Sequence, residues 1–153
     1  MNELYMMIAA NLKPLKNVTC GLVGVVGSII TYLFGGWSQG MATLITFMAF
    51  DYGTGLVVAA VFKKSAKTDK GGLNSTVGYK GLLKKFAEIM VVACLHLLDV
   101  TLGINFLMNA GIIGFISNEF ISIIENVGLM GVKLPAVVTN AIELLNKKSK
   151  ELE

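Results

Sequence analysis

Several ionisable side chains lie inside apolar stretches of this chain, where a charge is unexpected. Asp51 is the only charged residue in residues 40–62, and the next apolar stretch contains Glu88, His96 and Asp99. A charged group at the centre of a bilayer costs on the order of 3 kcal/mol, so such groups usually face a bundle interior or a water-filled path. A carboxylate in this position can line a polar path, direct subunit assembly, or only hold helices together by hydrogen bonding.

A second set of polar side chains recurs at helical spacing near the end of the last apolar stretch. Asn118, Ser122 and Glu125 lie on one stripe of a helix. Glu119, Ser122 and Asn126 lie on an overlapping stripe. One helix face is therefore polar at this end. It either leaves the membrane among the lipid head groups or faces a pore or another copy of the chain, and the pattern fits both interpretations.

The residues that serve enzymes and metal sites do not form a recognisable pattern. The chain has one histidine and no HExxH pair, and its two cysteines, Cys20 and Cys94, lie in apolar runs without metal or redox spacing. We therefore expect no catalytic residue, no metal and no cofactor. The depth of His96 is similar to that of Asp51, so the two can pair across helices, but the sequence does not fix the rotation of those helices.

Composition indicates a membrane protein. The chain has 153 residues, of which 54% are hydrophobic and 15% are charged. A soluble domain carries about 25% charged residues, so this chain has too few to cover a surface that faces water. Four stretches approach the length of about 20 apolar residues that crosses a bilayer as a helix. They cover residues 18–35, 40–62, 86–103 and 104–124.

These stretches predict an all-α membrane protein with about four transmembrane helices. The transmembrane domain covers residues 18–126, with a basic loop at residues 63–85 between the second and third helices. The flanking segments, residues 1–17 and 127–153, have the spacing of short amphipathic helices on a membrane surface. Pro135 suits the start of the C-terminal helix.

The distribution of lysine predicts the topology. All 13 basic residues are lysines, and four crossings would place every one of them on the same side of the membrane. The positive-inside rule then places both termini and the basic loop in the cytoplasm. We expect the loop lysines to attract anionic lipid, at about 1 kcal/mol each. They are Lys63, Lys64, Lys67, Lys70, Lys80, Lys84 and Lys85. Without arginine or interleaved aromatic residues, we expect no nucleic-acid partner.

Small residues indicate where helices pack closely. Gly24 and Ser28 lie four residues apart in the first stretch, and Gly55 and Ala59 do so in the second. Such faces let helix backbones approach each other in lipid. The packing can occur within one chain or between copies in a homo-oligomer.

An ordered set of motifs resembles a known family. The set begins with Asp51-Tyr-Gly-Thr-Gly55, continues with a basic loop that contains Ser75-x-x-Gly78-x-x-Gly81-x-x-Lys84-Lys85, and includes a third segment that ends near Asp99. It closes with Asn118-Glu119-x-x-Ser122-x-x-Glu125-Asn126. Over about residues 43–126 the chain resembles the toxin-secretion and phage-lysis holin family of Firmicutes phages.

The resemblance implies a function without enzymatic activity. Holins of this kind form homo-oligomers in the host cytoplasmic membrane and open lesions that release an endolysin, or in some relatives a large toxin, as cargo. The polar candidates for assembly or pore lining are Asp51, Thr54, His96, Asp99, Asn118, Glu119, Ser122, Glu125 and Asn126. Two alternatives are a small proton-coupled exporter that uses Asp51 and a structural subunit that anchors a larger complex.

Overall fold

The described part of the chain is helical throughout, apart from its connections. The computed structural model describes residues 18–19, 21–68 and 70–140, and these residues contain no β-strand. Four helices follow one another: α1 (Gly21–Phe34), α2 (Gln39–Val57), α3 (Ser75–Leu102) and α4 (Leu107–Leu129). The all-α prediction is confirmed. The N-terminal segment and most of the C-terminal segment lie outside the described residues, although residues 136–140 are helical after Pro135.

Helix α2 agrees closely with the second predicted stretch. Ser38 caps its start, because the Ser38 hydroxyl accepts a hydrogen bond from the Met41 N–H at 3.1 Å. At its other end α2 continues as a π-helical segment, Val58–Phe62, and Lys63 ends it in the left-handed conformation at φ 51°. The continuous helix has 24 residues, which is long enough to cross a bilayer.

Two of the described helices have the length and composition of membrane spans. They are the α2 helix with its π-helical end, Gln39–Phe62, and α4, Leu107–Leu129. Helix α1 is apolar but shorter, and α3 carries Lys85, Glu88 and Asp99 in the part that would cross. The structure thus supports a membrane protein with two candidate spans, and four crossings stay a prediction.

The basic segment is partly helical. We placed the loop at residues 63–85, but α3 begins at Ser75, so the loop proper covers residues 63–74. Asn74 is the cap, because its side-chain oxygen accepts from the N–H groups of Thr76 and Val77. Gly71 allows the loop to fold back, since it has φ +67° and a Cβ at this position would collide with the backbone of Lys63.

The core lies where α2, α3 and α4 meet. Gly40 of α2 faces Ile112 of α4, and further along Gly55 faces Asn126, so these two helices run parallel. Phe47 and Phe120 pack between them with ring centroids 6.1 Å apart. Helix α3 runs antiparallel to both. The buried hydrophobic cluster consists of Met41, Leu44, Met48, Val92, Met108 and Ile112.

The two predicted small-residue faces differ in what they contact. Gly55 and Ala59 face the interior of the bundle, where Ala59 is buried. On α1 an added Cβ at Gly24 would meet nothing within 4 Å, and the Ser28 hydroxyl donates to the Gly24 carbonyl of its own helix. The α1 face is therefore open in a single chain.

Candidate functional site

One ion cluster joins the three packed helices. The Lys85 Nζ of α3 donates to Asp51 Oδ2 of α2 at 2.8 Å and to Glu119 Oε2 of α4 at 2.5 Å. The exposed fractions of the three side chains are 12%, 10% and 3% for Lys85, Asp51 and Glu119. Because each residue belongs to a different helix, the cluster fixes the position of all three helices at this level.

Asn126 extends the cluster from α4 to the next turn of α2. Its Nδ2 lies 3.1 Å from Asp51 Oδ1 and 3.1 Å from Thr54 Oγ1. The Thr54 hydroxyl can accept here because its own hydrogen is donated to the backbone of α2. Gly55 faces the same amide, since a Cβ at this position would make an ordinary van der Waals contact with the Asn126 nitrogen at 3.6 Å. The DYGTG motif thus combines a carboxylate, a hydroxyl and a helix contact.

Glu88 is a fourth charged group in the same region. It lies one turn along α3 from Lys85, is only 7% exposed, and its Oε2 has no hydrogen-bond partner. Its carboxyl group lies beside that of Glu119, and the charges of Lys84 and Lys85 act on it. Three buried carboxyl groups therefore lie near one partly buried ammonium group. This arrangement is costly in a medium of low dielectric constant unless a proton or another donor compensates it.

A cleft with both polar and apolar walls extends from the cluster to the protein surface. It has a volume of about 190 Å³ and lies between α2, α3, α4 and the loop at residues 63–74. Gly55, Gly78 and Gly81 line its walls and create the space. The buried cluster forms its inner end, whereas the exposed side chains of Lys67 and Lys84 lie toward the surface.

The remaining polar residues of α4 share this cleft. Asn118, Ser122 and Glu125 all line it, and Asn118 and Glu125 are also exposed, so the predicted polar stripe borders the cleft near the protein surface. Of the seven lysines in residues 63–85, Lys67, Lys84 and Lys85 line the cleft, and the other four are exposed and do not line it. Those exposed lysines are Lys63, Lys64, Lys70 and Lys80.

His96 lies away from the cluster. Its ring packs against Gly35 in the turn between α1 and α2, where a Cβ would lie 2.7 Å from the ring. It is separated from Lys85 by about three turns of α3, or roughly 16 Å. The sequence left open whether His96 pairs with Asp51, and the structure does not pair them, because the α3 residue that contacts Asp51 is Lys85.

Asp99 has a structural role at the opposite end of the bundle. Its two carboxylate oxygens accept from the first N–H groups of α4, at 3.0 Å from Leu107 and 2.9 Å from Met108. Asp99 is 5% exposed, and it caps α4 from the preceding helix. Gly103 ends α3 in the left-handed conformation at φ 67° and allows the short turn between the two helices.

Sequence reasoning missed the partner of Asp51. Lys85 was assigned only to topology and lipid attraction, and Glu88 was noted as intramembrane but was not included among the candidates. The available signal was their spacing of three residues, which places both on one face of α3. That face could have been compared with the acidic stripe of α4, because a buried carboxylate requires a cation or a hydrogen-bond donor.

These features define the class of the protein: a small helical membrane protein with charged groups inside its bundle. The sequence profile of the bacteriophage holin family matches residues 28–147. The chain therefore belongs to the bacteriophage holin family, as the motif resemblance indicated.

Individual relatives agree with this assignment. An uncharacterized protein of Listeria monocytogenes is 37% identical over 134 residues, which are 87% of this chain and 89% of the relative. An uncharacterized protein of Clostridium perfringens is 33% identical over 86% of this chain and 95% of the relative. A protein of Bacillus phage phi105 with the name "Probable holin" is 29% identical over 74% of this chain and 78% of the relative. No solved structure matches the chain.

Proposed function

We propose that this protein is a holin that assembles into homo-oligomers in the host cytoplasmic membrane and opens lesions large enough to release an endolysin or a large toxin. The observation that carries this proposal is the ion cluster of Asp51, Lys85 and Glu119, which is buried inside a bundle with an apolar exterior. Charges in this position are stable only while the three helices stay together or while water replaces their partners.

The dimensions of one chain require assembly of many copies. The cleft of about 190 Å³ has room for roughly six water molecules at about 30 Å³ each. A folded enzyme cannot pass through such a space. Release of a protein therefore requires that helices of several copies separate and surround a common opening, or that the bilayer between them fails.

The polar face of the bundle is suited to line such an opening. Asp51, Glu119 and Asn126 are satisfied by each other and by Lys85 in the single chain. After helix separation, these side chains would face water instead of lipid. Breaking a buried ion pair in place costs about 3–5 kcal/mol, so hydration and new contacts between copies have to compensate for this loss. A transition of this kind depends steeply on the number of copies.

The topology proposed for the assembled form keeps four crossings. Both termini and the loop at residues 63–74 lie on the cytoplasmic side, and the exposed Lys63, Lys64, Lys70 and Lys80 contact anionic head groups. The open small-residue face of α1 at Gly24 is available for packing between copies.

The test is release of a cytoplasmic enzyme after induced expression in bacteria. We expect abrupt release of an enzyme of tens of kilodaltons, and lysis only when a muralytic enzyme is present. Lys80→Met is the matched control for Lys85→Met, because both lysines belong to α3 but Lys80 is exposed whereas Lys85 is partly buried and paired with Asp51 and Glu119. Changed timing in Lys85→Met alone supports the role of the cluster, and sustained growth of the parent with intact membrane potential contradicts the proposal.

The cleft also favours one second candidate function, a small proton-coupled exporter. The cleft ends on Asp51, Glu88 and Glu119, and an intramembrane carboxylate can exchange a proton for a substrate. This candidate predicts continued growth and efflux that stops when the proton gradient is collapsed. The release experiment separates the two functions, since an exporter does not release a cytoplasmic enzyme. A purely structural subunit would give neither release nor efflux.

A further inference from the structure

Glu88 is a buried carboxyl group that lacks a hydrogen-bond donor, and it has no role in the proposed lesion. Glu88 is more than nine-tenths buried and lines the cleft, and its Oε2 has no hydrogen-bond partner among the residues that the structure describes. An unsatisfied charged oxygen in the interior is destabilising, and a lone acceptor of this kind requires an N–H or O–H donor. The donor has to reach the inner end of the cleft.

Among the described residues, no group donates a hydrogen bond to Glu88 Oε2. The Lys85 ammonium donates to Asp51 and Glu119, and its third N–H does not reach Glu88 Oε2. The neighbouring Glu119 carboxyl offers only acceptors when it is ionised. In the described part of the chain, the acidic, histidine and cysteine side chains form no group of three that could hold a metal ion. An ammonium group, with three N–H donors and a positive charge, satisfies both the geometry and the charge of this end.

The outer part of the cleft has a different character. Lys67 and Lys84 lie toward the surface, and Leu56, Leu73 and Val77 contribute apolar wall. A simple cation would have to pass these lysines and would be repelled by them. A zwitterion fits both parts, because its anionic group can stay near the lysines while its ammonium group reaches the carboxylates.

We propose that the cleft binds the primary ammonium end of a small zwitterionic phosphate compound, with Glu88 as the acceptor at the inner end and Lys67 and Lys84 near the phosphate. The same chemistry exists in a free phosphoethanolamine and in a phosphatidylethanolamine head group. The volume of about 190 Å³ admits such a head group but not a larger solute. This proposal does not depend on lesion formation.

The comparison of ethanolamine with choline compounds tests it directly. Choline carries a quaternary ammonium group with the same charge but without an N–H, so it cannot satisfy Glu88. We measure thermal unfolding of the purified full chain in a neutral detergent with added O-phosphoethanolamine or phosphocholine. We then compare nanodiscs of phosphatidylethanolamine and phosphatidylcholine, each with the same fraction of phosphatidylglycerol. We expect binding about tenfold tighter for the ethanolamine form, because a hydrogen bond to a charged group is lost with choline.

The two comparisons, with soluble compounds and with nanodiscs, together identify the source of the ligand. A preference for ethanolamine in nanodiscs alone identifies a lipid, and the same preference with the soluble compounds identifies a free head group. Both results support the site. Equal responses to ethanolamine and choline, or no response in either comparison, overturn the proposal and leave Glu88 to water or to a proton shared with Glu119.

A pair of variants places the effect at Glu88. Glu88→Gln removes the charge and the orphan oxygen, and we expect it to weaken ethanolamine binding about tenfold. Glu125→Gln is the matched control, because Glu125 lines the same cleft but is exposed, and we expect a change of about twofold at most. A Glu88→Gln chain that binds as tightly as the parent overturns the proposal. If this variant fails to fold, the ethanolamine and choline comparison on the parent chain still decides.

Discussion

The two ends of the helical bundle hold buried carboxylates in different ways. At the end near the α3–α4 turn, both oxygens of Asp99 accept backbone N–H groups of α4. At the other level, Asp51 and Glu119 are held by side chains, chiefly by Lys85. Backbone donors at a helix start are fixed in place and favour a negative charge. Side-chain donors from another helix are lost when that helix moves away.

This difference indicates which parts of the bundle move together. The Asp99 carboxylate joins α3 to α4 across a turn of a few residues, and the Asp99 carbonyl accepts from Ile104 at 2.9 Å. The α3–α4 hairpin is therefore expected to stay together as one unit. The contact of α2 with this unit at the level of Asp51 depends on Lys85 and Asn126. In the proposed lesion, separation of α2 from the hairpin would expose the polar face, and it would also have to break the buried apolar contacts of Met41, Leu44 and Met48 with α3 and α4.

The largest predicted effect comes from removing the shared cation. Lys85→Met leaves Asp51 and Glu119 buried without their counter-ion, and breaking a buried pair in this way costs about 3–5 kcal/mol. We expect a large loss of stability in chemical unfolding of the purified chain in detergent, and reduced accumulation in the membrane. Lys80→Met, which changes an exposed lysine of the same helix, should change stability by less than about 0.5 kcal/mol.

The comparison also predicts how lysis responds to this change. If the cluster holds α2 to the hairpin, the Lys85→Met chain that does accumulate should trigger earlier than the parent at equal protein level. Equal stability and equal timing of Lys85→Met and Lys80→Met would show that the ion cluster does not hold the helices together.

The second prediction concerns the capped end. Asp99→Ala removes the acceptor for two N–H groups at the start of α4, and loss of a helix cap costs about 0.5–2 kcal/mol. We expect lower stability of the purified chain but unchanged lysis timing at matched protein level, because the α2 contact is not affected. Asp99→Asn keeps one acceptor oxygen and should lose about half as much. Earlier triggering in Asp99→Ala, at equal accumulation, would remove the distinction between the two ends.

The sequence predicts that buried polar groups need partners inside the bundle, but it does not predict which residues those partners are. Isolation of Asp51 in an apolar stretch predicted that it needs a partner, and the spacing of Glu119, Ser122 and Asn126 predicted a polar face. The identity of the partner depends on the rotation and level of α3. The predicted membrane span begins at residue 86, whereas the helix that contains it begins at Ser75.

The same limit explains the other differences. The sequence shows that Lys85 belongs to a lysine-rich segment, which predicts the side of the membrane on which it lies. It does not show that Lys85 pairs with Asp51 and Glu119, because that depends on how α3 is placed against α2 and α4. Asp99 lies in α3 and is separated from the start of α4 by the turn between the two helices. It is therefore not at the usual cap position, which directly precedes a helix. Helix type and approximate bounds follow from local pattern, whereas contacts between helices depend on packing that has no local signal.

The third prediction separates the neutral and charged partners of Asp51. Asn126→Ala removes the donor to Asp51 Oδ1 and Thr54 Oγ1 but keeps Lys85 in place. We expect a loss of about 0.5–1.5 kcal/mol, well below that of Lys85→Met. Asn109→Ala on the exposed side of α4 is the control and should be near neutral. A loss in Asn126→Ala as large as in Lys85→Met would mean that hydrogen bonding, not charge, holds α2.

The smallest predicted effect tests whether α3 and α4 pack closely between the two ends. A Cβ at Gly111 would collide with the Leu95 side chain, whereas a Cβ at Gly114 would meet nothing within 4 Å. Because Leu95 is flexible and can shift, Gly111→Ala should cost about 1 kcal/mol, at the low end of the cost of overpacking. Gly114→Ala adds a methyl group on the same helix in open space and should be neutral or slightly stabilising. The difference between these two variants, measured by unfolding of the purified chain, reports the contact within the hairpin. Equal effects of the two substitutions would show that α3 and α4 do not pack at this level, and the hairpin could then not move as one unit.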